Sequence, residues 1–160
     1  MLKLKIANKD IAEIAAKYCS LVLTEDPTSH HRLVEAADGS LSYIMGVGKW
    51  EDVTPRTFRT LIRSAIQAAK RHEIEYLAIQ LSLSPFKQLK DQSDAWLYRT
   101  VAENILIADY TFTTYKSKKS TRPQLKEVVL CGKLSAAAKT SFEQGIIVAE
   151  STNFTRDIAN

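Results

Sequence analysis

Few side chains in this sequence of 160 residues have the types and spacing that chemistry requires. His30 and His31 adjoin Arg32 in a polar stretch, and His72 falls at the end of an expected helix, where its partial positive charge suits the dipole. No His-x-x-x-His or Cys-x-x-Cys pair is present, so no zinc site is assembled from local sequence. There is no Gly-x-Ser-x-Gly elbow for a nucleophilic serine. Cys19 and Cys131 lie far apart in apolar runs without an activating partner, the usual setting of buried free thiols. Gly46-Val47-Gly48-Lys49 invites a phosphate-loop reading, because clustered glycines let backbone N–H groups approach an anion. The match is poor: the glycines are only two apart and Trp50 follows the lysine, where a P-loop needs Ser or Thr. A tight turn leaving a strand is the better reading. Asn153-Phe154-Thr155 fits a glycosylation acceptor, but without a signal peptide it carries no weight.

The net charge of +4 raises nucleic acid as a partner, since neutralising phosphates takes clustered Lys and Arg. Arg56, Arg59, Arg63 and Lys70 share one face of an expected helix, and Lys116, Lys118, Lys119 and Arg122 crowd an expected loop. With no helix-turn-helix, RNA-recognition or zinc-finger signature beside them, a solvated helix face and a soluble loop explain both clusters better. Apolar residues at 45% and charged residues at 25% match a globular protein of one domain. No segment approaches the apolar length of a membrane span. The N-terminus, Met1 to Ile6, alternates charge with apolar side chains and reads as a strand rather than a signal peptide, which points to the cytoplasm.

The elements that would position these residues follow from periodicity. Strands are expected at Leu2 to Ile6, Tyr18 to Thr24, Leu41 to Val47, Glu75 to Leu83, Tyr110 to Tyr115 and Glu127 to Cys131. Helices are expected at Asp10 to Tyr18, His30 to Ala37, Pro55 to His72, Asp94 to Ala108 and Ser135 to Asn160. The clearest is Pro55 to His72, with Thr54 at the N-cap, Pro55 at the first helical position, and Phe58, Leu61, Ile62, Ala65, Ile66 and Ala69 on one face. Strands alternating with helices argue for an α/β layer fold with a mixed, mostly parallel sheet covered on both sides.

The last helix has no stop signal: Phe154 to Ala159 stays helix-compatible up to Asn160. Its apolar positions form two stripes, Ala138, Phe142, Ile146 and Ala149 on one side and Ile147, Phe154 and Ile158 on the other. Two stripes require two packing partners. At about 1.5 Å per residue the helix would reach about 36 Å, more than one face of a small domain needs.

Three blocks in order carry a family resemblance. Ser42 to Lys49 followed by Thr54-Pro55 resembles the strand, glycine turn and "TP" helix of the N-terminal domain of the M17 leucyl aminopeptidases, or cytosol aminopeptidases. Val101 to Lys119 resembles that family's segment ending in Tyr-x-Phe and Tyr-Lys-Ser-Lys, with Asn104 and Ala108 standing where the family has glycines. Gly145 to Asn160 is similar to the connecting helix whose Arg-Asp-x-x-Asn end leads into the catalytic domain.

The resemblance implies a macro-domain-like, three-layer α/β/α sandwich over residues 1–134, and a long helix over 135–160 leading toward a C-terminal catalytic domain. It implies no catalytic, cofactor-binding or metal-binding residue in this chain. The two divalent metal ions, Zn or Mn, belong to the family's catalytic domain, whose Asn-Thr-Asp-Ala-Glu-Gly-Arg signature has no counterpart here. The implied partners are that catalytic domain, sister subunits of a hexamer and, for the parent, peptide substrates. Phe154, Arg156, Asp157 and Ile158 are the candidate interdomain contacts. The competing readings are a free-standing module binding ADP-ribose or a related nucleotide, and nucleic-acid binding through the basic clusters.

Overall fold

The computed structural model describes residues 1–111 and 122–159. The strand expected at Tyr110 to Tyr115 falls mostly outside the described residues, as do Lys116, Lys118, Lys119 and Asn160. In chain order the elements are β1 (Lys3–Ala7), β2 (Cys19–Thr24), β3 (His31–Glu35), β4 (Leu41–Gly46), α1 (Pro55–Arg71), β5 (Tyr76–Ile79), α2 (Asp94–Asp109), β6 (Glu127–Cys131) and α3 (Ala136–Ala159). They form one six-stranded sheet in the order β1-β6-β5-β2-β4-β3, with every pairing parallel except β3 against β4. This is the α/β class with the mixed, mostly parallel sheet that the alternating pattern implied. No helix among the described residues is long and apolar enough to cross a membrane.

The core lies between the sheet and the helices. Alternation along the strands turns Leu21, Tyr43, Met45, Leu77, Ile79, Val128 and Leu130 to the face on which α1 and α2 pack. α1 starts as its sequence predicts: the Thr54 hydroxyl accepts from the Thr57 N–H at 3.2 Å, and the Thr54 N–H donates to the Thr57 hydroxyl at 2.7 Å. Its buried face is Phe58, Leu61, Ile62, Ala65, Ile66, Ala68 and Ala69. Each large side chain buried there is worth about 1.5–3 kcal/mol.

The opposite face is covered differently. Ile11, Ile14 and Tyr18 pack over Ala78, Val129 and Cys131, but the segment carrying them is a 3-10 turn at Ile11–Glu13 rather than the helix expected from Asp10 to Tyr18. The spacing of those apolar residues suits a helix, but the connection must travel from the C-terminal end of β1 to the N-terminal end of β2, three strands away. A helix advances only about 1.5 Å per residue against about 3.3 Å for extended chain. The short connection therefore runs mostly extended. Tyr18 anchors its end: the phenol donates to Oε1 of Glu127, whose Oε2 lies 2.8 Å from the Lys5 ammonium. Donation to Glu127 pushes the Tyr18 phenol up to about 12, and the Lys5 ammonium, then the Tyr18 hydroxyl, hold the Glu127 carboxyl below its usual value.

The second departure is at His30 to Ala37, expected as a short helix and found as the edge strand β3. Asp38-Gly39 is the reason. Gly39 takes φ +81° and its N–H donates to the Ala36 carbonyl, closing a three-residue hairpin loop that returns the chain as β4. β5 is also shorter than expected, ending at Ile79.

Gly46 ends β4 where a Cβ would stand 2.2 Å from the Pro27 carbonyl oxygen and 2.7 Å from that of Asp26. Because both obstacles are backbone, Gly46→Ala should destabilise the domain by about 1–3 kcal/mol, read as a lower urea midpoint at unchanged slope. A second expectation concerns acid. Glu127 has a depressed folded-state pKa, so its contribution is complete above the ordinary carboxylate value and is lost as pH falls through the folded one. Tyr18→Phe should flatten that loss in urea unfolding between about pH 2 and 5.

Candidate functional site

α3 is positioned by its contact with α2. Gly145 lies against the second turn of α2 so closely that a Cβ would stand 2.5 Å from the Arg99 carbonyl oxygen and 3.1 Å from the Ala102 Cβ. With that point fixed, Ala138, Phe142 and Ala149 are buried and Ile146 is half-buried, as the first stripe requires. The second stripe is left outside: Ile147 is 62% exposed, Phe154 65% and Ile158 71%. At about 100° per residue these three sit on the side of the helix away from Gly145.

Arg156 and Asp157, named with Phe154 and Ile158 as candidate interdomain contacts, are exposed and also reach the end of α2. The Arg156 guanidinium lies 3.9 Å over the Tyr110 ring and donates to the Ile107 carbonyl at 3.3 Å, while Asp157 accepts the Tyr110 hydroxyl at 2.7 Å. Asn153 adds an amide donation to the Leu106 carbonyl at 3.1 Å. These contacts tie the last turns of α3 to the end of α2, beside an open groove of about 400 Å³ formed with Met1, Leu2 and Phe154.

The basic face of α1 is not simply solvated. Arg63 Nε donates to Oδ1 of the fully buried Asn104 at 2.7 Å, and Asn104 Nδ2 donates to the Thr100 carbonyl at 2.8 Å. Lys70 bonds the Asp109 carbonyl at 2.9 Å and its carboxylate at 3.4 Å. Arg59 lies 5.8 Å over Trp96. Cations at Arg59, Arg63 and Lys70 thus join α1 to α2, and nothing here favours a phosphate backbone as their partner. Asn104 is the centre of that junction.

The remaining candidates do not converge. His30 and His31 are exposed on and beside the edge strand, with His31 Nε2 2.7 Å from the Thr28 carbonyl oxygen, while His72 caps α1 and packs on Tyr43 at 5.2 Å. Cys19 and Cys131 are buried and free, as their apolar contexts implied, and burial pushes the Cys19 thiol up to about 11 and raises Cys131. Neither can serve as a ready nucleophile. Among the described residues no three His, Cys, Asp or Glu side chains gather to hold a metal ion.

The glycine turn beside a pocket of about 530 Å³ is a structural turn. The N–H groups of Gly46, Val47 and Gly48 donate to the carbonyls of His30, Thr24 and Asp26 at 2.9, 3.0 and 2.8 Å. None of these three amides is left to cradle a phosphate.

Sequence comparison supplies the missing context. Residues 41–119 match the model of the "Cytosol aminopeptidase family, N-terminal domain", a stretch that takes in β4, α1, β5 and α2. The chain carries the N-terminal domain of the cytosol aminopeptidase family. A probable cytosol aminopeptidase of Actinobacillus succinogenes is 29% identical over 73% of this chain and 23% of its own length. One of Nitrosomonas eutropha is 28% identical over 99% of this chain and 33% of its own length. The chain therefore spans about a quarter to a third of these relatives. A tomato leucine aminopeptidase mutant shares the fold at a TM-score of 0.67 and 11% identity, covering 96% of this chain and 36% of that one. The sequence points to this cytosol aminopeptidase domain through the ordered blocks; the contacts of Arg156 and Asp157 with Tyr110 have no sequence signal, because they depend on where α2 ends.

The two stripes of α3 should respond oppositely to substitution. Phe142→Ala is expected to cost about 3–5 kcal/mol, whereas Phe154→Ser and Ile158→Ser should each stay within about 0.5 kcal/mol in urea unfolding of the 160-residue chain.

Proposed function

We propose that this chain is a non-catalytic domain of a metal-dependent aminopeptidase, working in the cytoplasm by docking on a C-terminal catalytic domain. The observation that carries the reading is the exposed stripe Ile147, Phe154 and Ile158 on a helix otherwise well packed, in a chain spanning about a quarter of the length of relatives such as that of Actinobacillus succinogenes. Isolated exposed apolar residues are ordinary, but three aligned on one helix face form the surface expected of an interface. Division at residues 134 and 135 into a macro-like unit and a connecting helix is the matching domain reading. Phe154 and Ile158 would meet the catalytic domain, with Arg156 and Asp157 holding the end of the helix in place through Tyr110.

In this reading the two divalent ions, Zn or Mn, and the metal-assisted release of N-terminal residues from peptides belong to the catalytic domain. The domain described here would contribute to assembly of a hexamer and to access to the active site. The free-standing nucleotide module gains no support, because the glycine-turn amides already have carbonyl partners.

The purified 160-residue chain, supplied with Mn²⁺ or Zn²⁺, should release no product from a leucine anilide in a colorimetric assay. Metal-dependent turnover that copurifies with the chain overturns the reading.

A further inference from the structure

The apolar surface away from α3 lies at the far end of the sheet. There Leu33 and Val34 of β3 are 41% and 40% exposed, and Val22 of β2 is 39% exposed. Among the described residues β3 pairs only with β4, so one side of its backbone is open. Which groups face that side follows from the ladder. Gly46 donates to the His30 carbonyl and Ala36 to the Ser40 carbonyl. In an antiparallel pair, bonded residues alternate with unbonded ones, so residues 30, 32, 34 and 36 bond to β4. His31, Leu33 and Glu35 therefore present their N–H and C=O groups outward. The opposite edge, β1, is guarded by Lys3 and Lys5 in a five-residue strand, a common defence of a sheet edge.

We propose that β3 is a self-association edge, pairing antiparallel with β3 of a second copy about a two-fold axis at Leu33. The sequence of this strand is complementary to itself in that register. Leu33 lies opposite Leu33, the His31 imidazole lies opposite the Glu35 carboxylate in both directions, and Arg32 lies opposite Val34. The three residues with outward backbone groups become the bonded pairs of the new ladder. Shifting the axis to Arg32 sets Arg32 against Arg32, a like-charge pairing that destabilises a sheet. Shifting it to Val34 places His31 opposite Ala37, beyond the strand. Leu33-centred pairing thus satisfies the most backbone groups and the charges together, and joins the two six-stranded sheets into one. Val22 and Ile44 share a face with Val34 but lie two strands and one strand in from the seam, so the contact rests on β3 itself. A two-strand seam buries less than the roughly 1,200 Å² of a stable interface, so the association belongs to the weak, concentration-dependent class. It is independent of the aminopeptidase reading: either can fail without the other.

The test is sedimentation equilibrium of the full chain over a concentration series. The expected result is a mass rising from 17.9 kDa toward twice that value. Leu33→Pro removes an outward N–H while leaving the β4 bonds intact, and should abolish the rise with an unchanged circular dichroism spectrum. Glu35→Lys should weaken association about tenfold or more, and the double variant His31→Glu with Glu35→Lys should restore it, even if the proline variant fails to fold. A monomer at every attainable concentration overturns the proposal. So does association that survives Leu33→Pro in a folded protein, or that is lost in Phe154→Asp, which would locate the contact on α3.

Discussion

The close approach of Gly145 to α2 is the constraint on which the character of this domain rests. Backbone meets backbone there, with the Arg99 carbonyl where any larger residue would place its Cβ. A contact of that kind fixes both the distance and the rotation of a helix, because the neighbours cannot give way as a side chain would. Once α3 is held at that angle, Phe142 and Ala149 must enter the core, while Ile147, Phe154 and Ile158 must leave it. The exposed stripe is thus a geometric consequence of one glycine.

The same economy joins the other layers. α1 buries an apolar face on the sheet, and its cations reach sideways to α2 through the buried Asn104 and the end of that helix at Asp109. Asn104 is acceptable in the interior because both ends of its amide are bonded, to Arg63 and to the Thr100 carbonyl. The helices therefore form a connected layer on one face of the sheet. Among the described residues the other face carries a short extended segment over β5 and β6, anchored by Tyr18 on Glu127, and Val22 toward β3 is exposed. Two apolar surfaces result at opposite ends of the molecule, one on a helix and one on a strand edge.

Much of this was legible in the residues. Thr54-Pro55 and the uninterrupted spacing from Phe58 to Ala69 specify α1, since capping and amphipathicity are local properties. The stripes of α3 were equally visible. The blocks at Ser42 to Lys49, Val101 to Lys119 and Gly145 to Asn160 were enough to suggest the family. Two short elements misled. Ile11, Ile14 and Tyr18 have helical spacing, but the distance their segment must cross prevents a helix. His30 to Ala37 has no strong local preference, and the Asp38-Gly39 turn decides its pairing. That dipeptide was the available signal for a hairpin.

The sequence by itself determined the α/β class, the main helices, the burial of both cysteines and the family, because each depends on composition, periodicity or ordered motifs within one stretch of chain. Only the tertiary structure decided that the Gly46 to Gly48 amides are already bonded, that Arg63 and Lys70 join helices, and that Arg156 and Asp157 engage Tyr110 at the end of α2. The physical reason is common to all three. A polar group's role depends on the partner within about 3 Å of it, and for these residues the partners come from other elements of the fold.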